Sequence, residues 1–230
     1  MLVAAAVCPP TPLVVLAMPD LRSACHTAIA ALRDARPDVL IAVGGAESTR
    51  TYDGGAAGSL RPWGVDRTIG GGEPVLPLSL TVARLLMSGD HAPDPHLIAG
   101  GDHAPDACRS VAFDASAEEC RALGEKLGKS GERVALLVMV DGSACLGSGA
   151  PGRHDEEAGP YNEAIGEALA AGDPGVLAAL DPARADRLWV GGRAALQVLA
   201  GAAGAGRYDG RLLMSCAPYG VGYFAGLWTT

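Results

Sequence analysis

The chain has 230 residues, of which 49% are hydrophobic and only 4% aromatic, so it is long enough to bury a large core of Ala, Val and Leu. Its net charge of −8 argues against nucleic-acid binding, which requires a clustered basic surface. No run reaches the roughly 20 apolar residues of a membrane span, and the apolar start lacks the basic segment of a signal peptide. We therefore expect a cytoplasmic protein that binds neither nucleic acid nor membranes.

The first predicted elements form a strand–helix–strand unit. A buried strand at 2–7 must end near Cys8, because prolines follow at 9, 10 and 12 and proline cannot continue a sheet ladder. The spacing of apolar residues predicts a helix over 19–35, and an apolar run predicts a second buried strand at 39–43, ended by Gly44-Gly45. This order predicts parallel strands joined by a right-handed crossover.

The rest of the chain continues to alternate helices and strands. Residues 46–74 are rich in Gly, Thr, Asp and Arg and predict a long functional loop with room for a short hairpin. Ser116 and Glu119 match a capping box that opens a helix. In chain order we predict helices at 78–87, 116–127, 156–171, 174–180, 182–190 and 193–203, and strands at 110–113, 134–140, 212–215 and 221–227. The chain, 1–230, is therefore predicted to be a single α/β domain with a mixed β-sheet sandwiched by helices.

Several predicted strand ends carry side chains with usable chemistry. Cys8 ends the first strand, Glu47 follows the second, the turn 141–145 follows the strand at 134–140, and Cys216 ends a fourth strand. The carboxyl ends of parallel strands line the ligand crevice of open α/β sheets. These residues therefore predict one metal or substrate pocket, while the alternative is that small residues merely connect the elements.

Four short motifs occur in order along the chain: Val7-Cys-Pro-Pro10, Val140-Asp-Gly-Ser-Ala144, Gly159-Pro-Tyr-Asn162 and Ala217-Pro-Tyr-Gly-Val-Gly-Tyr-Phe224. Together they resemble the pattern of class III extradiol ring-cleavage dioxygenases, in the β-subunit (LigB-like) family. The resemblance is closer to an actinobacterial branch of that family. It extends over 2–228 and implies a class III extradiol dioxygenase-like fold and aromatic ring-opening chemistry.

The resemblance also implies a metal site that this sequence does not reproduce. In the family, two histidines and a glutamate hold non-haem Fe(II), and a further histidine acts as acid and base. Here Cys8 stands at the first histidine position, and Glu47 is the only strong ligand after the second strand. Ala144 stands at the acid/base position, and Cys216 lies near the position of the last ligand, where no Glu is found. We therefore expect a family member that has lost its iron site, binds no cofactor, and is non-catalytic or altered in function.

Two alternatives keep the protein a metal-dependent enzyme. The first is a ring-cleaving dioxygenase that holds Fe(II) through ligands the motifs do not place. The second is a zinc enzyme in which Cys8, Glu47 and Cys216 are the ligands, since thiolates and a carboxylate suit zinc. The partners considered are a small aromatic or other small-molecule ligand, another protein, and a second copy of the chain in a homo-oligomer.

The candidate catalytic residues lie in and beside the turn 141–145. His154 precedes a helix and is the histidine nominated as a replacement acid/base. Asp141 and Ser143 are weaker candidates, because hydrogen bonds to the backbone that organise the turn explain them better than nucleophilic catalysis. Tyr219 is a candidate pocket residue beside Ala144 and Cys216. One predicted loop also carries three histidines among aspartates: His91, His96 and His103. It could be a metal site, and the alternative is a polar loop exposed to solvent.

Overall fold

A seven-stranded mixed sheet forms the centre of the protein. The structure is a computed structural model that describes residues 1–88 and 104–230. Its strands are β1 Leu2–Cys8, β2 Val39–Ala46, β3 Arg50–Asp53, β4 Gly58–Ser59, β5 Thr68–Ile69, β6 Ala107–Ala112, β7 Val134–Met139, β8 Asp209–Cys216 and β9 Tyr223–Thr229. The order across the sheet is β3-β6-β2-β7-β1-β9-β8, and β4 pairs with β5 in a separate ribbon.

The four central strands β6, β2, β7 and β1 run parallel, so their carboxyl ends lie at one edge of the sheet. We call this edge the carboxyl edge. The antiparallel strand β9 begins there and β8 ends there, because Val7 of β1 pairs with Gly226 and Cys216 pairs with Tyr223. The parallel arrangement predicted for the first two strands is confirmed, with β7 lying between them.

Helices cover both faces of the sheet, as the alternation of elements predicts. They are α1 Pro12–Leu16, α2 Pro19–Asp34, α3 Leu78–Ser88, α4 Ala117–Gly128, α5 Ala158–Ala171, α6 Pro174–Ala178, α7 Pro182–Arg187 and α8 Arg193–Ala203. Helices α1 to α3 pack on one face and α4 to α8 on the other. The predicted single α/β domain with a mixed sheet between helices is confirmed.

The strands divide the core into two layers because successive side chains point to opposite faces. In β1, Ala5 and Val7 pack under α4 to α8, whereas Ala6 and Cys8 pack under α1 to α3. The capping box of α4 is present, since Glu119 N–H donates to Ser116 Oγ at 3.2 Å and Ser116 N–H donates to Glu119 Oε2 at 2.8 Å. None of the helices in the described residues has the length and apolarity needed to cross a membrane.

Gly44-Gly45 does not end β2, contrary to the sequence prediction, but continues it to Ala46. A side chain at either position would collide with a neighbouring residue, and the two collisions would occur on opposite faces of the sheet. A Cβ on Gly44 would lie 2.5 Å from Ser79 Oγ in α3, and one on Gly45 would lie 2.5 Å from Phe113 Cε1. The two glycines therefore mark close approach to the sheet rather than a turn.

Candidate functional site

The carboxyl edge gathers the predicted site residues without joining them into one cluster. Cys8 ends β1, Glu47 follows β2 and Asp141 follows β7. Cys216 reaches the same edge as the last residue of β8. The burial and the partners of each side chain therefore decide what it can do.

Cys8 is sealed inside the protein. Its side chain is completely buried, and its thiol donates to the backbone oxygen of Cys25 in α2 at 4.0 Å. Burial raises the pKa of Cys8 well above its usual value, and a hydrogen bond and charge interaction with Cys25 add to the effect. A protonated thiol in an apolar layer lacks the thiolate that both nucleophilic attack and metal binding need.

Glu47 and Cys216 do not complete a metal centre with Cys8. Glu47 is exposed, while Cys216 is half-buried and has a pKa raised by burial and by Cys25. Among residues 1–88 and 104–230, no group of three or more His, Cys, Asp or Glu side chains is placed to hold a metal ion. The described residues therefore fit neither the zinc site predicted from these three side chains nor a His/His/Glu iron site. The histidine-rich loop lies outside the described residues: His91, His96 and His103.

Ser143 holds the turn together. Its side chain is completely buried, and its hydroxyl donates to the backbone oxygen of Leu188 at 2.6 Å. The same oxygen accepts a hydrogen bond from Cys145 N–H at 3.0 Å, and Ser143 N–H donates to Asn162 Oδ1 at 2.8 Å. Because its proton is committed to Leu188, the hydroxyl is not available to attack a substrate.

His154 lies on a segment that runs beside the same turn. Gly152 N–H donates to the oxygen of Ala144 at 2.9 Å, and Asp155 N–H donates to the oxygen of Cys145 at 3.1 Å. The His154 side chain is exposed, and no hydrogen bond joins it to Ser143 among the described residues. Ala144, at the acid/base position of the resemblance, offers only a half-buried methyl group. The structure therefore brings these residues close in the backbone without forming a catalytic pair.

The Asp141 carboxyl group lies at the carboxyl edge, and its pKa is shifted towards neutral pH. It lies against Gly191, because a Cβ on Gly191 would lie 2.7 Å from Asp141 Oδ1. Burial raises the pKa of Asp141 from 3.8 to about 6, opposed by a hydrogen bond from its own backbone. A carboxyl group that titrates near pH 6 can exchange a proton with a ligand under physiological conditions.

Tyr223, rather than Tyr219, occupies the interior beside Asp141. The backbones of Asp141 and Tyr223 pair in an isolated bridge, and the Tyr223 side chain is buried. Burial raises the pKa of Tyr223, a hydrogen bond with Thr11 lowers it, and the nearby Asp141 raises it again. Tyr219 is 49% exposed, so the structure places it on the surface instead of in a closed pocket.

A groove with a volume of about 760 Å³ lies at the carboxyl edge on the α7–α8 side. Two aromatic side chains line it, Phe113 after β6 and Trp189 after α7, and they are 48% and 59% exposed. Gly191, against which the Asp141 carboxyl group lies, also lines this Phe113–Trp189 groove. The volume falls within the roughly 300–1,000 Å³ of small-molecule sites.

Each aromatic side chain rests on a glycine. The ring of Phe113 lies against Gly45 in β2, and the indole of Trp189 lies against Gly152, whose Cβ would be 3.3 Å from Trp189 Cδ2. Trp189 itself has a φ of +51°, a left-handed conformation that is unfavourable for a bulky residue. The backbone thus holds the indole at the surface at a conformational cost.

Arg193, the first residue of α8, forms the buried wall of the groove. Its side chain is 4% exposed, and it donates to the backbone oxygens of Ala115 and Phe113 and to Gln197 Oε1. These oxygens are all uncharged, and among the described residues Arg193 forms no ion pair. The guanidinium therefore clamps the loop after β6 without a counter-charge from the protein.

Sequence reasoning missed this groove. The sequence predicted Trp189 to lie in the helix at 182–190, Arg193 in the helix at 193–203 and Phe113 in the strand at 110–113. The signal present in the sequence was the Gly191-Gly192 pair directly before α8, since paired glycines permit close approach of backbone to neighbouring groups. A second groove of about 530 Å³ lies between α4, α6 and α8 and has no aromatic lining.

No family model matches the chain, and no curated protein matches it by sequence. Among solved structures, the uncharacterized protein JW3007 from Escherichia coli K12 is similar to it. The two chains share 14% sequence identity with a TM-score of 0.49, over 98% of this chain and 99% of that chain.

Proposed function

We propose that the protein binds a small molecule with a flat aromatic or apolar part in the Phe113–Trp189 groove. The observation that carries the proposal is the pair of half-exposed aromatic side chains lining one groove at the carboxyl edge. Aromatic side chains are scarce in this chain, at 4% of residues, and a ligand would remove both from water at little cost in side-chain entropy.

Asp141 supports the proposal with a polar group close to the groove. Gly191 lines the groove and has no side chain, and a Cβ there would lie 2.7 Å from Asp141 Oδ1, so the Asp141 carboxyl group is close to the groove lining. A pKa of about 6 allows this group to accept a hydrogen bond or to donate one. The ligand is thus expected to combine an apolar ring with a polar substituent, as small-molecule sites generally require.

The proposal makes the protein a binding or altered-function relative of the ring-cleavage family that it resembles. Supporting observations are the buried thiol of Cys8 and the methyl group of Ala144, at positions where the resemblance expects histidines. The alternative, a metal-dependent enzyme, would need ligands from outside the described residues. Metal analysis of untagged protein tests it: less than about 0.1 equivalents of iron and zinc is expected, and a stoichiometric metal would overturn the metal-free proposal.

Binding of benzamide, an uncharged planar probe, tests the groove itself. We expect the wild-type protein and Trp63→Ala to bind benzamide with equal affinity by ligand-observed NMR. Trp63 is a matched control because it is 47% exposed and lies outside the groove. Trp189→Ala should bind at least about fivefold more weakly, since buried aromatic contacts dominate such sites. Equal affinity of all three proteins, or no binding to any, would contradict the proposal.

A further inference from the structure

We propose that the Phe113–Trp189 groove selects ligands that carry a carboxylate, and that the buried guanidinium of Arg193 is the group that recognises it. This inference rests on the proposed function, because it names the chemical class of the ligand in the same groove. It goes beyond the aromatic walls, which recognise shape and do not distinguish a neutral ligand from a charged one.

The first argument concerns charge. Arg193 is buried, and burying an ionised group costs free energy unless an opposite charge accompanies it. Its partners are two backbone oxygens, an amide oxygen and the sulfur of Cys120, a thiol whose pKa burial raises. No Asp or Glu of the described residues forms an ion pair with it. A negatively charged ligand can supply the missing counter-charge, because Arg193 itself lines the groove.

The second argument concerns unused hydrogen-bond donors. A guanidinium has five N–H groups. Nη1 donates to Ala115, Gln197 and the Cys120 sulfur, and Nη2 donates to Phe113. The Nε–H and one Nη2 hydrogen have no protein partner in the described chain. One Nε–H and one Nη–H are the pair that a carboxylate accepts in a bidentate arrangement.

The acidic residues of the groove do not cancel this attraction. Asp114 and Asp186 line the groove but are exposed, so the surrounding water weakens their repulsion of a bound anion. Arg193 is shielded from that water by its burial. The groove therefore pairs a buried cation with exposed anions, an arrangement that favours an anion bound deep in the groove.

Benzoate and benzamide form the test, because they have nearly the same shape and differ in charge. We expect the wild-type protein to bind benzoate about tenfold more tightly than benzamide at pH 5, where the Asp141 carboxyl group against Gly191 is mostly protonated and adds no negative charge next to the groove. Equal affinity for the two would overturn the inference and leave the proposed function standing, with Arg193 reduced to a clamp for the loop. Failure of both probes to bind would overturn the proposed function and this inference together.

A variant locates the preference at Arg193. Gln197→Glu places a carboxylate where Gln197 Oε1 now accepts from Arg193 Nη1 at 3.1 Å, and so supplies an internal counter-charge. It also removes the Nε2 hydrogen bonds to the oxygens of Ala178 and Leu180, so its stability is measured alongside its binding. The preference for benzoate should fall to about twofold or less, while benzamide binding stays unchanged. Ser130→Glu is the control, because it adds the same charge before the start of β7, at the opposite edge of the sheet, and should keep the tenfold preference. A preference that survives in Gln197→Glu, with the fold confirmed by its melting curve, would contradict the assignment.

Discussion

Nη2 of Arg193 donates a hydrogen bond to the backbone oxygen of Phe113 at 2.6 Å, so a buried charge on α8 fixes the loop after β6. The same side chain donates to the backbone oxygen of Ala115, two residues further along the loop. Arg193 thereby anchors the backbone of the loop that carries the Phe113 ring, which lies against Gly45. The groove is shaped by a polar contact of its wall as well as by apolar packing.

Replacing Arg193 with lysine tests this clamp. A lysine keeps the charge but has no planar fork, so it cannot reach Phe113, Ala115 and Gln197 together. We expect Arg193→Lys to lower the free energy of unfolding by about 2–4 kcal/mol, measured by urea denaturation. Arg121→Lys, in an exposed i,i+4 ion pair with Glu125, should change it by less than about 0.5 kcal/mol. Similar changes in the free energy of unfolding for the two substitutions would show that the hydrogen bonds of Arg193 stabilise the protein no more than an exposed ion pair does.

The raised pKa of Asp141 makes stability depend on pH. The folded protein holds this proton up to about pH 6, whereas the unfolded chain releases it near the usual value of about 3.9. Between these values the folded state binds more protons, so stability falls as pH rises. Asp141→Asn removes the titration, and the wild-type protein should lose about 2–3 kcal/mol relative to it between pH 3.5 and pH 7.

Asp155 provides the control of opposite sign. A hydrogen bond from Glu157 N–H and the charge of Arg187 lower the pKa of Asp155, so its stabilising contribution is present at neutral pH and is lost on acidification. Asp155→Asn should therefore have a lower free energy of unfolding than the wild-type protein at neutral pH, and this difference should shrink as pH falls. Parallel pH profiles for the wild-type protein and Asp141→Asn would contradict the account of Asp141.

Ser143→Ala tests whether the buried hydroxyl is structural. The substitution leaves the oxygen of Leu188 and the N–H of Cys145 without a partner inside the protein. We expect a loss of about 1–3 kcal/mol in the free energy of unfolding. Ser130→Ala removes a similar bond, to Leu127 at 2.6 Å, at an exposed position where water replaces it. A Ser143→Ala protein as stable as Ser130→Ala would count against the structural role.

The sequence allowed the layers of the fold to be predicted because its signals were local. Apolar runs such as 134–140, prolines after Cys8 and the capping box at Ser116 each specify an element without reference to the rest of the chain. The glycines of β2 were misinterpreted because their reason is tertiary. Only the structure shows Ser79 and Phe113 lying where side chains on Gly44 and Gly45 would be.

The site was predicted only in part for the same physical reason. The position of Asp141 at a strand end followed from the strand pattern, but its altered pKa depends on burial that the fold creates. The groove depends on Trp189 and Arg193, which are distant in sequence from Phe113 and meet it only through tertiary packing. Chemically reactive residue types drew attention to Cys8 and Cys216, whose burial the sequence could not specify.

Gly45→Ala tests the support beneath Phe113. A Cβ at this position would lie 2.5 Å from Phe113 Cε1, so the half-exposed ring must move. We expect benzamide affinity to fall about threefold or more, and the free energy of unfolding to fall by about 1–3 kcal/mol. Gly71→Ala is the matched control, because a Cβ there meets nothing within 4 Å. Unchanged affinity in a folded Gly45→Ala protein would separate Phe113 from the binding site.

The most direct test of the groove uses the three tryptophans of the chain. In a 15N-labelled sample, Trp189 reports the groove, Trp63 reports an exposed site elsewhere, and Trp228 reports the core, where its Nε1–H donates to Leu169 at 2.8 Å. Titration with benzamide should shift the indole N–H signal of Trp189 in a saturable way and leave the other two in place. A Trp63 signal that shifts as much as that of Trp189, or a Trp189 signal that does not move, would contradict binding in this groove.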